Sequence, residues 1–240
     1  ARGHVALVGK GVTFDTGGIS IKPAPSMGEM KYDMMGAATA LACVRAARAL
    51  RLPVRVVALA PLTENLPSGS ATRPGDILRM RNGRTVEVDN TDAEGRLILA
   101  DALALAAKQK PDYMINLATL TGACVVALGN GVAGIFSNNQ PLADNVMRCA
   151  REAGEKLWQL PLVKEYREGL KSSVADMKNI AGPQGGAIIA ALILQEFVDD
   201  VPWVHLDIAG PAFTEADTAI ATKGGTGFGV RILLKFLLTL

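Results

Sequence analysis

Two stretches hold the side chains that could do chemistry. Between residues 87 and 101, Glu87, Asp89, Asp92, Glu94 and Asp101 crowd five acids into fifteen positions, with Arg96 the one base among them. Carboxylates this close repel one another unless a cation or a proton lies between them. Nearer the start, Lys10, Asp15, Lys22 and Asp33 lie in or beside segments that follow an apolar run. Taken together, Lys10, Asp15, Asp33, Asp92 and Glu94 would offer one amine and four carboxylates. Such an oxygen-rich set suits Mg²⁺, Mn²⁺ or Zn²⁺, and bridging carboxylates suit two ions about 3.5–4 Å apart. A lysine joins a set of this kind only as the neutral amine.

Each of these residues also has an ordinary reading. Thr91-x-x-Glu94 ahead of an apolar run is a capping box, and acids are favoured at a helix N-terminus. Asp15 and Asp33 could cap turns or a helix, and Lys10 and Lys22 could be solvated surface charges. A capping box does not ask for Asp92 or Arg96, however. Nor does it ask for Gly95, which costs a helix about 1 kcal/mol relative to Ala and implies the close approach of another group. The glycine-rich runs at 9–11, 17–18 and 225–229 match no phosphate-binding spacing. His4 and His205 are the only histidines. That excludes a His-rich zinc site and makes a Ser-His-Asp triad hard to build.

The elements that must position these groups are read from apolar runs and their breakers. Strands are expected at 5–8, 54–60, 85–88, 113–117, 132–137 and 203–208. Helices are expected at 33–51, 97–108, 141–156, 187–197 and after Gly229. Residues 9–18 read as a glycine-punctuated loop, 19–22 as extended, 61–76 as a long loop and 118–123 as a small-residue turn. Strands alternating with helices predict an α/β fold. A mostly parallel, mixed central sheet should carry helices on both faces, as a three-layer α/β/α single domain over 1–240. Functional residues should then collect at the carboxyl ends of the strands.

Composition narrows the class. The 240 residues are 49% apolar but only 5% aromatic, which favours aliphatic packing of helices on a sheet. A net charge of +2 gives no strong field for nucleic acid or membrane. Cys43, Cys124 and Cys149 have no metal-type spacing and read as free thiols of a reducing compartment. With no signal peptide and no membrane-spanning run, a cytoplasmic location is expected. The chain opens inside a strand, which points to a preceding segment that is missing or separately encoded. An apolar C-terminal helix at 232–240 is expected to be exposed, so that the protein would be a homo-oligomer.

The runs Val8-Gly9-Lys10-Gly11-Val12-Thr13-Phe14-Asp15-Thr16-Gly17-Gly18-Ile19-Ser20-Ile21-Lys22 and Asn90-Thr91-Asp92-Ala93-Glu94-Gly95-Arg96-Leu97 closely resemble the leucine aminopeptidase (cytosol aminopeptidase) family. The likeness extends through Pro67-Ser68-Gly69, Arg73-Pro74-Gly75-Asp76, Ala118-Thr119-Leu120-Thr121-Gly122-Ala123 and His205-Leu206-Asp207-Ile208-Ala209-Gly210, and so across essentially the whole chain. It implies the C-terminal catalytic domain of a dinuclear metallopeptidase. That enzyme would remove a Leu- or Met-like first residue from peptides with a free N-terminus, using water activated by two divalent ions (Zn²⁺, Mn²⁺, Co²⁺ or Mg²⁺). By motif position Asp15 and Glu94 would bridge the ions, Asp92 would complete one site, and Lys10 and Asp33 the other. Lys22 and Arg96 match the family's catalytic positions, with a bicarbonate possible at Arg96. Met30, Asn90, Thr119, Leu120 and Gly122 match substrate-binding positions. The resemblance also implies a trimer or hexamer.

Three departures stand out. Met35-Gly36 follows Asp33-Met34 where the family usually has two glycines, so that Met35 is expected to crowd the ion or the substrate. Asn116 stands where an acid is common. The resemblance is to the C-terminal catalytic domain alone, and the family's smaller N-terminal domain is expected to be absent from these 240 residues. The competing reading is a non-catalytic scaffold or DNA-associated member of the same family. The intact ligand set and the low net charge argue against it.

Overall fold

Alternating apolar side chains in the strands set the architecture of the computed structural model, which describes residues 3–240. In chain order the elements are β1 (His4–Gly9), β2 (Gly11–Asp15), α1 (Met35–Ala49), β3 (Arg55–Leu59), β4 (Leu62–Asn65), β5 (Ile77–Arg79), β6 (Thr85–Glu87) and α2 (Glu94–Ala107). There follow β7 (Tyr113–Ala118), α3 (Gly122–Leu128), β8 (Ala133–Ser137), α4 (Gln140–Ala153), β9 (Leu157–Gln159) and β10 (Met177–Lys178). The chain closes with α5 (Gly186–Gln195), β11 (Trp203–Asp207), β12 (Phe213–Thr214), β13 (Gly224–Gly225) and α6 (Val230–Leu237). A six-stranded sheet of order β3-β1-β7-β11-β8-β9 forms the centre. Its pairs are parallel except β11 with β8.

Successive residues of a strand point to opposite faces. Val5, Leu7, Ile115, Leu117, Val204 and Leu206 accordingly meet α1, α4 and α6 on one face. Ala6, Val8, Met114 and Trp203 meet α2 and α5 on the other. This is the expected three-layer α/β/α arrangement. Among the described residues no helix is long and apolar enough to cross a membrane. All three cysteines are buried and free.

Topology fixes where the site falls. From β1 the chain crosses through α1 to β3 on one side, and later returns through α2, on the opposite face, to β7 on the other side of β1. The gap beyond the carboxyl ends of β1 and β7 is therefore a switch point, the place where open α/β sheets bind ligands. Glycines let the backbone close in there. A Cβ on Gly36, at the start of α1, would lie 2.1 Å from the carbonyl oxygen of Leu117 on β7.

Several local expectations differ from the structure. Residues 11–15 and 62–65 are not loop but β2 and β4, a parallel pair outside the main sheet. Their short β-branched runs depend on a non-local partner, which local punctuation does not reveal. Residues 19–22 form no strand: Lys22 N–H donates to Thr16 O at 2.8 Å and Ile19 and Ile21 are left exposed. The turn at 118–123 runs into the helix α3. The C-terminal helix is not an exposed apolar face: Ile232, Leu233, Phe236 and Leu237 are buried, and α6 lies against α1 and α4. Met35 does not crowd the site either. It belongs to the core, where Gly225 leaves room for its sulfur.

Candidate metal centre

Lys10 is the residue immediately after β1. Its amide donates to Leu117 O at 3.0 Å and its carbonyl accepts from Ala37 N–H at 2.8 Å, so the backbone on either side of the lysine is held by β7 and α1. Its side chain is only 4% exposed, yet Nζ lies 2.8 Å from Asp33 Oδ2 and 2.9 Å from Glu94 Oε1. Gly95 explains how the stem passes: a Cβ there would come within 2.6 Å of Lys10 Cε. The glycine that a helix would rather lack is thus required by the approach of Lys10 to the start of α2.

Lys22 serves a second pair of acids. Its Nζ is 3.0 Å from Asp15 Oδ2 and also bonds Asp92 Oδ1. Asp92 sits in a 3₁₀ turn, Thr91–Ala93, whose cap is Asn90: the Asn90 side chain accepts from Asp92 N–H at 2.8 Å. Thr91 makes no capping box with Glu94. Its hydroxyl instead donates to Gly17 O at 2.6 Å and accepts from Ser20 N–H at 2.8 Å, while Thr91 N–H donates to Ser20 Oγ. These bonds join the two sequence stretches, more than seventy residues apart, into one wall.

The burial of so many charges shifts their titration. Burial pushes the Asp33 carboxyl up to about 6, Lys10 opposing and Glu94 adding to the shift. Asp92 is raised by burial, against the pull of Lys22. Burial works against the ammonium of Lys10, but Glu94 and Asp33 outweigh it and raise its pKa. Lys22 is likewise raised, burial being outweighed by Asp92 and Asp15. Burial lowers the Arg96 guanidinium to about 10, with Glu94, Asp207 and Asp92 opposing, so it stays cationic at neutral pH.

The donor set fits a divalent cation. Asp15, Asp33 and Glu94 each turn a carboxylate oxygen to one point, all within 4.8 Å of one another. Asp33 Oδ2 and Glu94 Oε1 are buried and meet no partner but the Lys10 ammonium, at 2.8 and 2.9 Å. Buried carboxylate oxygens whose sole partner is one cationic group are what a metal ion would take up in its place. Arg96 keeps an open donor. Its Nη1 donates to Asn179 O at 2.9 Å, and its buried Nε has no acceptor.

A cavity of about 660 Å³ opens above these groups. Lys10, Asp15, Lys22, Met30, Asp33, Asn90, Asp92, Arg96, Thr119, Leu120 and Gly122 all line it. Glu94 is the one residue of the expected set that does not, since it reaches Lys10 from the start of α2. Met30 is presented by the 3₁₀ turn Met27–Tyr32 and Thr119 by the end of β7. Thr119 also ties the wall to the charges, its hydroxyl donating to Asp33 Oδ1 at 2.7 Å and its carbonyl accepting from Lys10 Nζ at 3.2 Å. Residues given no role by the sequence complete the site. Buried Asp207 accepts from the Thr121 hydroxyl at 2.6 Å and from the amides of Leu120 and Ala209, fixing the 119–122 side of the cavity. Asn179 accepts from Asp89 N–H and donates to Asn90 O at 2.7 Å, holding the acidic turn. Asn65 reaches the carboxylates from β4.

Comparison with known proteins gives a consistent result. Residues 1–234 match the family model described as "Cytosol aminopeptidase family, catalytic domain". A probable cytosol aminopeptidase of Chlorobaculum tepidum is 57% identical over 99% of this chain, and one of Gloeobacter violaceus 54% identical over 99%. The chain spans about half the length of these curated relatives, 47% of each. Among solved structures, the cytosol aminopeptidase of Coxiella burnetii superimposes with a TM-score of 0.94 at 44% identity, covering 99% of this chain and 52% of that one. The bottromycin maturation enzyme BotP in complex with Mn gives a TM-score of 0.95 at 46% identity, covering 98% of this chain and 53% of that one.

Proposed function

The chain belongs to the cytosol aminopeptidase family, and on that premise we propose that it is the catalytic domain of a two-metal aminopeptidase. It would remove the first residue, Leu- or Met-like by preference, from peptides with a free amino terminus. What supports this most is one observation: two sequence motifs converge on a cleft in which four carboxylates, of Asp15, Asp33, Asp92 and Glu94, surround only two lysines. Asp15 and Glu94 would be shared by two divalent ions, with Asp92 completing one set and Lys10 and Asp33 the other. Bound ions (Zn²⁺, Mn²⁺, Co²⁺ or Mg²⁺) would polarise the scissile carbonyl and make water a nucleophile at neutral pH.

The chain's own residues do the rest. Lys22 is held as the ammonium and faces the cavity, so it would stabilise negative charge developing on the carbonyl oxygen. Arg96, cationic and with Nε unpaired, would hold an anion such as bicarbonate, which could carry the proton that no histidine is placed to carry. Met30, Thr119, Leu120 and Gly122 offer the first side chain apolar or small surface. Burying aliphatic area there contributes about 25 cal/mol per Å², while a carboxylate would find no partner. A homo-oligomer, trimer or hexamer, is part of the same proposal; its support is the family alone, since α6 buries the apolar face that would have argued for it.

The test is chelation followed by assay on a chromogenic leucine amide. Activity should vanish with the ions and return with Mn²⁺ or Zn²⁺, and acetyl-leucine amide should not be cleaved. Undiminished activity after complete ion removal, or cleavage of the acetylated substrate at a comparable rate, would overturn the proposal.

A further inference from the structure

We propose that Asn65 is a positioning residue of the ion site. Its carboxamide pins the outer oxygens of Asp15 and Glu94, so that the remaining oxygen of each is left to face the cations. The inference rests on the two-ion reading given above and assigns a role within it to a residue of a different strand.

The register of β2 on β4 sets Asn65 beside Asp15. Asn65 Nδ2 donates its two protons to Asp15 Oδ1 at 2.9 Å and Thr91 O at 3.0 Å, and Glu94 Oε2 at 3.4 Å shares one of them in a weaker three-centre contact. Three oxygen acceptors around one nitrogen fix which way the amide points. The result is a division of labour within each carboxylate. Asp15 Oδ1 takes neutral donors, Asn65 and the Gly17 amide at 2.8 Å, while Oδ2 lies 3.0 Å from Lys22 Nζ. Glu94 Oε2 takes Asn65, while Oε1 lies 2.9 Å from Lys10 Nζ and meets no other partner.

The two carboxylates that Asn65 joins are the two that would be shared between the ions. A neutral donor suits that position. A cationic one would compete with the metal for the same negative charge, and an acid would add repulsion. The backbone of Asn65 acts separately from its side chain. The Asn65 carbonyl accepts from Thr16 N–H and from the Thr16 hydroxyl, each at 2.9 Å. Those bonds hold β4 to β2 whatever the side chain is, so the carboxamide can be tested without removing them. Partners that orient ligating groups in this way typically contribute about 10–100-fold in metal affinity.

The experiment titrates Mn²⁺ into the metal-free protein and its Asn65→Ala and Asn65→Leu variants, following the free ion by its paramagnetic resonance signal well below the melting temperature. Neither variant can donate, and Leu keeps the bulk of Asn, so a packing defect in one is controlled by the other. The expected result is uptake by the parent and a roughly 10–100-fold weaker affinity in both variants. Affinities within two-fold of the parent in either folded variant would overturn the inference and leave Asn65 a strand residue only. A parent that takes up no Mn²⁺ would instead overturn the two-ion reading, and the inference with it.

Discussion

Two buried polar clusters lie along the same strand, β7, and they are built on opposite principles. Asn116 and His205 are register partners across β7 and β11. Trp203 Nε1 donates to Asn116 Oδ1 at 2.8 Å, so the amide nitrogen faces His205 Nδ1, 2.9 Å away, and the ring carries its proton on Nε2. The imidazole stacks on Phe136 and Trp203, with centroids 5.8 and 6.3 Å away. Burial, with Arg96 adding to it, drives the His205 pKa down to about 3. This cluster excludes charge. Where β7 ends, a few residues further on, the second cluster collects charge: four carboxylates against two lysines and Arg96, with two buried oxygens that meet only the Lys10 ammonium. The neutral network leaves one donor open, the buried His205 Nε2, but carries no charge to balance, whereas an excess of buried acid is closed only by protons or by added cations. Changes to the first should therefore alter stability, and changes to the second should alter ion binding and turnover.

The largest expected effect is at the two acids proposed to be shared between the ions. Asp15→Ala and Glu94→Ala should weaken divalent-ion binding by more than the roughly 100-fold that an outer partner contributes, and should abolish turnover. Metal analysis after gel filtration reads this, and tight retention of two ions by Glu94→Ala would remove that residue from the ligand set. Next comes Lys22→Ala. It should keep its ions while kcat falls on the order of 10²-fold or more; loss of metal in this variant would make Lys22 a ligand.

The neutral cluster supplies the contrast. In the folded protein His205 stays neutral down to about pH 3, while the unfolded chain's imidazole gains a proton below 6.5. The His205 contribution to stability must fall as pH drops through that window, by about 2 kcal/mol between pH 6.5 and 5 at about 1.4 kcal/mol per unit, while the raised Asp33 carboxyl contributes in the opposite sense. Urea denaturation of the parent and of His205→Leu should show a steeper acid-side loss in the parent than in the variant, with metal affinity alike in both. Equal pH slopes would mean that the ring is protonated or exposed in the native state. The smallest effect concerns the cavity: Leu- and Met-amides should be cleaved about ten-fold or more faster than Asp-amide, and because Met35 turns into the core, Trp-amide needs no special exclusion. A preference for Asp would overturn the pocket assignment and nothing else.

The legible part of this molecule is the part written as contiguous strings. The Lys10–Lys22 and Asn90–Leu97 runs carry ligand types at fixed spacing, and buried-strand runs such as His4–Gly9 and Tyr113–Ala118 carry the sheet. Gly95 is legible as a close approach, but its visitor, the Lys10 stem, is not. What cannot be read along the chain depends on register. Asn65 meets Asp15 only because β4 pairs with β2, and a Leu-Thr-Glu-Asn run among prolines gives no local sign of that partner. Thr91-x-x-Glu94 has the form of a capping box, yet Ser20 and Gly17 compete for the hydroxyl and win it from seventy residues away. Met35 reads as an obstruction because it is two residues from Asp33 in sequence, yet Asp33 ends the 3₁₀ turn while Met35 opens α1 and joins its buried face. The α6 face reads as exposed because its partners on α1 and α4 come from distant segments.

The central claim is that the charged cleft is a site for two cations, each lysine standing where an excess of acid calls for positive charge. Crystals grown metal-free and soaked in Mn²⁺ test it most directly through anomalous scattering. The account predicts two peaks per chain among the carboxylates of Asp15, Asp33, Asp92 and Glu94, with the Asn116–His205–Trp203 cluster unchanged. No peak in the cleft at saturating Mn²⁺, with Lys10 and Lys22 still paired to their acids, would contradict it.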